Sequence, residues 1–184
     1  PTGVDMARMK IEFLHHYTAR HGLSLKDRLI AYMPRYAPYA SRIRWLMNLR
    51  NRVPLLATLM EKLLGFSARR SLPEWVASWR ESGAPVRPED VKGDGLDLIL
   101  FADAFNRYFE PENLEAAERV LKAAGYRLHH IQPKDGGRPL DCGRTFLSLG
   151  QVDEARKEAM RLCESMLPFV ARGARIVGLE PSSL

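Results

Sequence analysis

One nine-residue stretch of this 184-residue chain groups residue types that could do chemistry: Arg138-Pro139-Leu140-Asp141-Cys142-Gly143-Arg144-Thr145-Phe146. Cysteine is the soft ligand of iron and zinc and, as thiolate, a nucleophile. Gly143 has no Cβ, so the backbone beside the sulfur can approach a neighbour closely or take a positive φ. Arg138 and Arg144 flank the sulfur with positive charge, which favours the thiolate. The same pattern also fits a small buried thiol with no chemistry at all. Asp141 beside Cys142 is badly placed as a base, and no histidine stands where it would activate the thiol.

The elements around this loop follow from periodicity and punctuation. Helices are expected from Asp5 to about His21, stopped by Gly22, and from Ser24 to Met33, ended by Pro34. Further helical pieces are expected around Ala37–Leu49 and Pro54–Leu64. Residues 66–91 read as an irregular connector around Trp75 and Trp79. After Gly93-Asp94-Gly95 the grammar changes. Leu96–Phe101 is an apolar run of the buried-strand type, in which Asp97 needs a partner. A helix opening at Pro111 follows, then a strand at Tyr126–Ile131, the Cys142 loop, a helix over about Val152–Ala171 and a strand at Arg175–Leu179. Strand–helix–strand–loop–helix–strand predicts a parallel sheet with right-handed crossovers. The expected fold is therefore α/β with an all-helical N-terminal part (residues 1–93). Residues 94–184 should form an incomplete three-stranded parallel sheet flanked by helices. Ligands of such sheets sit beyond the carboxyl ends of the strands. Asp103, Cys142 and Glu180-Pro181-Ser182-Ser183 should therefore gather at one rim, and the thin sheet's open edges call for neighbours.

Composition narrows the class. Apolar and charged residues make up 46% and 27% of the chain, as in ordinary globular domains. No apolar run is long enough to span a bilayer. The N-terminus has neither the basic start nor the apolar core of a signal peptide, and the missing initiator Met suggests a fragment or a processed chain. Two cysteines, Cys142 and Cys163, fit a reducing, cytoplasmic compartment. Residues 1–94 hold 16 Lys+Arg against 9 Asp+Glu, so the basic excess lies in the first half. No acid occurs between Asp27 and Glu61, where Arg42, Arg44, Arg50 and Arg52 alternate with Tyr36, Tyr39 and Trp45. Such a stretch suits an anionic membrane surface, a contact within a larger polypeptide, or a solvated helical face. No nucleic-acid fingerprint accompanies it, so a nucleic-acid partner is not expected.

Cys163 and the seven methionines fall at helical spacing among leucines, which predicts core packing. His15 and His16 are adjacent and cannot share a helix face. His129 and His130 alternate across a strand, and His130 stands near its end, by the rim, but the sequence locates no partner for a ligand role. Gly136-Gly137 lacks a dinucleotide-binding context.

Three separated motifs, in order, resemble one family. Pro1-Thr2-Gly3-Val4-Asp5-Met6-Ala7-Arg8-Met9-Lys10 looks like the segment after the last Cys-Pro of a ferredoxin-type cluster motif. Phe101–Phe109 looks like the first strand-to-helix segment, and Leu140–Thr145 with Gly178–Leu184 like the first half, of a cysteine-rich CCG domain. Together they resemble the C-terminal iron–sulfur region of bacterial FAD-linked oxidases of the D-lactate, D-2-hydroxyglutarate or glycolate dehydrogenase type. The resemblance implies electron transfer from reduced flavin to a quinone, a cytochrome or another acceptor. It also implies an iron–sulfur cluster with ligands mostly upstream of this chain. FAD would be held by a partner flavin domain or subunit and not by this chain, so the chain alone would not be catalytic. It puts forward Cys142 as a metal ligand and Asp141, Cys142, Gly143, Arg144 and Ser183 as cofactor-binding positions. The family's paired cysteines stand here as Asp141-Cys142, and the cysteine expected in the last motif is Ser183. These positions could instead shape a polar pocket or an acceptor dock. The alternative function is a non-catalytic interaction module docking on a partner subunit or an anionic membrane surface, and the location expected for either is cytoplasmic or peripheral at the inner membrane face.

Overall fold

The computed structural model describes residues 3, 5–80 and 86–183. Its first part is helical. Helix α1 (Met6–His21) starts where the Asp5 carboxylate accepts Arg8 N–H at 3.0 Å, and α2 (Leu25–Ala31) where Ser24 Oγ accepts Asp27 N–H at 3.1 Å. Helix α2 stops before Pro34, as expected, though at Ala31, and Pro34 then lies in the first turn of a further helix, α3 (Met33–Ala40). A first-turn proline gives up no helical hydrogen bond, because those N–H groups have no partner in any case. The helical pieces expected near 37–49 are short. After α3 come a tight turn (Ser41–Ile43), α4 (Arg44–Met47) and α5 (Leu49–Arg52). Helix α6 (Pro54–Leu64) ends on Gly65 at φ 73°.

Side chains of α5 and its cap organise the connector. Asn48 exchanges two 2.8 Å hydrogen bonds with the Trp75 backbone, and Asn51 does the same with Leu72 at 2.8 and 3.0 Å. Arg50, itself buried, donates to the Ser67 and Arg70 carbonyls. These amides and the guanidinium give an irregular segment the pairing that a strand would otherwise supply. Trp75 is thereby packed against Ala37, Ala40 and Tyr108.

The second part is the expected parallel sheet, in the order β2-β1-β3, with β1 Asp97–Phe101, β2 Arg127–His129 and β3 Arg175–Gly178. Helices α7 (Ala104–Tyr108) and α8 (Pro111–Ala123) connect β1 to β2; α9 (Arg144–Leu147) and α10 (Val152–Val170) connect β2 to β3. All five residues of β1 are buried, because both faces are covered. Ile99 and Phe101 face Met166 and Phe169 of α10, while Leu100 packs with Leu114 of α8 and with Trp79.

Asp97 begins this central strand fully buried, with five contacts to four residues. It accepts from Lys92 N (2.8 Å), Gly93 N (3.3 Å), Arg127 Nε (2.9 Å) and Arg127 Nη2 (3.0 Å), and it faces His129 Nε2 at 2.7 Å. Hydrogen bonding to Arg127 holds its carboxyl well below the usual carboxylate range, against the opposing effect of burial. This network ties the start of β2 to β1 and sets the register of the sheet.

The two parts pack on each other. Phe146, fully buried, meets Ala31 and Ala155 and lies edge-on to Tyr32. Thr145 Oγ1 donates to Ala31 O at 2.8 Å. Arg35 of α3 lies over the Phe146 ring and binds Glu158 of α10 at 2.9 Å, and Arg138 binds the same carboxylate. Glu158 is 2% exposed, so paired arginines are what keep its charge buried.

Helix α1 is held differently, since none of its residues is buried. A Cβ on Gly150 (φ +75°) would stand 2.4 Å from Leu14 C, and His15 Nδ1 lies 3.1 Å from Gly150 O. Gly150→Ala is therefore expected to release α1 while leaving the sheet folded. Hydrogen exchange checks this: protection of residues 6–21 should fall to that of a frayed segment, with protection of β1 unchanged.

Core packing fails for several residues at helical spacing. Met6, Met9 and Met160 are 69%, 54% and 55% exposed, and Cys163 is exposed rather than buried. Periodicity defines the apolar face of a helix but not whether anything covers it. On α10 the covered face is that of Ala155, Glu158, Met166 and Phe169, and Cys163 lies off it.

Candidate functional site

The rim at the carboxyl ends of the strands is built by short helices and turns. After β1, Asp103 caps α7 by accepting Phe105 N–H (2.9 Å) and Asn106 N–H (3.0 Å). After β2, residues 133–139 are strapped to α10 by Arg161, which pairs with Asp135 at 2.7 Å and donates to the Arg138 and Pro139 carbonyls. After β3, the turn Pro181–Ser183 closes on Glu180, whose Oε1 accepts from Ser182 Oγ at 2.5 Å. That hydrogen bond lowers the Glu180 pKa.

The stretch singled out in the sequence sits between these. Asp141 is buried and its Oδ2 accepts Gly143 N–H at 2.9 Å, an Asx-type turn. Burial pushes its carboxyl up, and the neighbouring Glu158 and Asp103 charges add to this. Cys142 is half-buried, packed on the core cluster of Ile99, Phe101 and Leu140. Gly143 takes φ +82°, and a Cβ there would stand 2.6 Å from Ala155 O. The close neighbour that its missing side chain admits is thus the backbone of α10. Arg144 Nη1 donates to Ser182 O at 3.3 Å, which joins the Cys142 loop to the last turn. Arg138 turns inward to Glu158. Ser183 belongs to the last turn by its backbone; its side chain lies outside the described residues, as do Pro1, Thr2, Val4 and Leu184.

Among the described residues no three His, Cys, Asp or Glu side chains converge as a metal-binding group. Cys142 brings a single thiol to the rim, since Cys163 lies exposed on α10, and the Asp141 carboxylate is occupied by its own turn. A cluster held by four thiolates does not fit this donor set. An iron–sulfur centre would need ligands from outside the chain.

A cleft of about 440 Å³ opens beside the rim, lined by the end of β1 and by the segment that follows β2. Its wall is a stack that sequence reading did not assemble. The Arg107 guanidinium lies 5.3 Å from the Trp79 ring centre, and Trp79 meets His130 edge-on at 5.2 Å. His130 Nε2 is 2.8 Å from Glu118 Oε1. The only prior signal was the placement of His130 near a strand end. Trp79 and Arg107 are brought there by the Trp79 N–H bond to Arg107 O (2.9 Å), which no local pattern announces.

With this geometry in view, comparison with known proteins bears on what the rim serves. Over 190 aligned residues the chain is 20% identical to D-2-hydroxyglutarate dehydrogenase of Haemophilus influenzae. The chain is similar to part of a dehydrogenase. The alignment takes in 99% of this chain but 18% of that relative's length. No family model and no solved structure matches the chain.

Proposed function

We propose that this chain supports electron delivery within an FAD- and iron–sulfur-dependent 2-hydroxy acid dehydrogenase. The observation that carries the reading is the similarity to D-2-hydroxyglutarate dehydrogenase along almost the entire chain. In this reading residues 1–93 follow a ferredoxin-type cluster motif, and residues 94–184 are the first half of a CCG-type domain. Hydride removal from the substrate takes place on the flavin of another domain or subunit. The cluster takes its thiolate ligands from outside this chain, where it would supply one-electron steps.

The role left to this chain is positional. Asp141, Cys142, Gly143 and Arg144 form a firm edge: the Asp141 turn fixes the loop, Gly143 seats it on α10, and Arg144 ties it to the last turn. This rim is the surface at which a quinone, cytochrome or other acceptor, or the flavin partner, is met. Half-burial of Cys142 leaves the thiol in reach of such a partner.

The test separates flavin reduction from onward transfer in the whole protein. Cys142→Ala and Arg144→Glu should leave D-2-hydroxy acid oxidation with a flavin-reactive dye unchanged. Turnover with the quinone or cytochrome acceptor should drop by about tenfold or more, the size expected when a close polar contact is lost or a charge reversed at a docking surface. Equal loss with both acceptors, or no loss with either, would remove the rim from the electron path.

A further inference from the structure

We propose that the surface from Arg42 to Leu63 docks on an anionic lipid bilayer. The proposal stands on this surface alone and survives if the electron-delivery reading fails. Residues 42–47, Arg-Ile-Arg-Trp-Leu-Met, are all exposed. Six consecutive residues point all the way round an axis, so no side of this turn is fully buried, with Ile43, Leu46 and Met47 45%, 48% and 37% exposed. Trp45 at its centre is 70% exposed, whereas Trp75 and Trp79 are buried. Helix α6 follows closely in the chain and buries only Ala57 among its residues. Leu55, Leu59 and Leu63, four residues apart, form one exposed stripe on it.

The chemistry favours lipid. From Arg42 to Leu63 the one acidic residue is Glu61, while Arg42 and Arg44 lie within the exposed turn itself, next to Trp45. Arginine heads beside an indole match the headgroup layer, where cations meet phosphate and the ring lies at the acyl boundary, and the leucine stripe of α6 supplies further exposed apolar surface. An exposed tryptophan enters such a deformable layer without a shaped groove to receive it. Among the described residues no helix is long and apolar enough to cross the bilayer, so the contact is peripheral.

The test uses the full chain with vesicles of phosphatidylcholine, with and without phosphatidylglycerol. It should sediment with the anionic vesicles only, and less at high salt. Arg42→Glu with Arg44→Glu should weaken binding by at least about 25-fold, from roughly fivefold for each basic residue near such a surface. Brominated lipid should quench tryptophan emission in the native chain and not in Trp45→Ala. Circular dichroism of both variants should match the native chain, since none of these side chains is in the core. Failure to sediment with anionic vesicles, or sedimentation that neither variant alters, would overturn the proposal. So would lipid-free self-association that Trp45→Ala abolishes, which would assign the surface to a second copy.

Discussion

Asp97→Asn is expected to destabilise the fold by about 3 kcal/mol at pH 7, the low end of what breaking a buried ion pair costs. The carboxylate is 0% exposed and serves Arg127, His129 and the 92–93 backbone at once. Asn keeps the shape and one acceptor oxygen but removes the charge. Arg127 retains Asp94, which places the loss near the low end rather than the high. For a domain of this size the melting temperature should fall by roughly 6–12 °C. The pH dependence has a definite sign. Folding lowers the Asp97 pKa, chiefly through hydrogen bonding to Arg127, so its contribution is complete above the unfolded value of about 3.9. It is lost as pH falls below that value toward the folded one. Urea titrations of both forms should show a constant gap from neutral pH to about pH 5 and a narrowing gap below about pH 4. A gap that stays constant into strong acid would show that lost packing, not lost charge, accounts for the difference.

Gly143→Ala is expected to cost about 3 kcal/mol, from two sources that a second variant separates. The first is conformational: φ is +82°, where a Cβ crowds the following carbonyl. The second is steric: the new Cβ would meet Ala155 O at 2.6 Å and Ala155 Cα at 3.0 Å, both backbone atoms of a long helix. Neither can rotate away. Gly136 has φ +62°, and a Cβ added there would meet nothing within 4 Å, so Gly136→Ala carries the first source alone. Chemical denaturation should therefore find a loss of about 1 kcal/mol at Gly136 and about three times that at Gly143. Equal losses would mean that α10 yields freely and that the loop is not seated on it.

Much of the fold was legible because it is punctuated. Asp5, Ser24, Pro54, Gly65 and Pro111 act locally, and each does in the structure what its type predicts. The apolar run of β1 was readable because a central parallel strand is buried on both faces. At Pro34 one helix has stopped and another starts, and only the stop was legible, because a proline serves both with equal ease. Cys163 misled because its spacing placed it among leucines, while the covering face of α10 lies to one side. At the rim, sequence reading anticipated that the Cys142 loop and the last turn belong to the same edge, which the Arg144–Ser182 bond joins. It did not foresee that Gly143 faces a helix, or that Trp79, Arg107 and His130 line the adjoining cleft. Those depend on contacts between distant segments, about which local residue patterns say nothing.

The most direct measurement is iron and acid-labile sulfide content, with electron paramagnetic resonance, on the whole protein purified without air. Equal amounts of iron and sulfide, with a paramagnetic signal that appears when D-2-hydroxyglutarate or a related 2-hydroxy acid is added, are the expected result. Absence of iron and sulfide, or iron that no 2-hydroxy acid reduces, would contradict the electron-delivery role and leave the chain an interaction module.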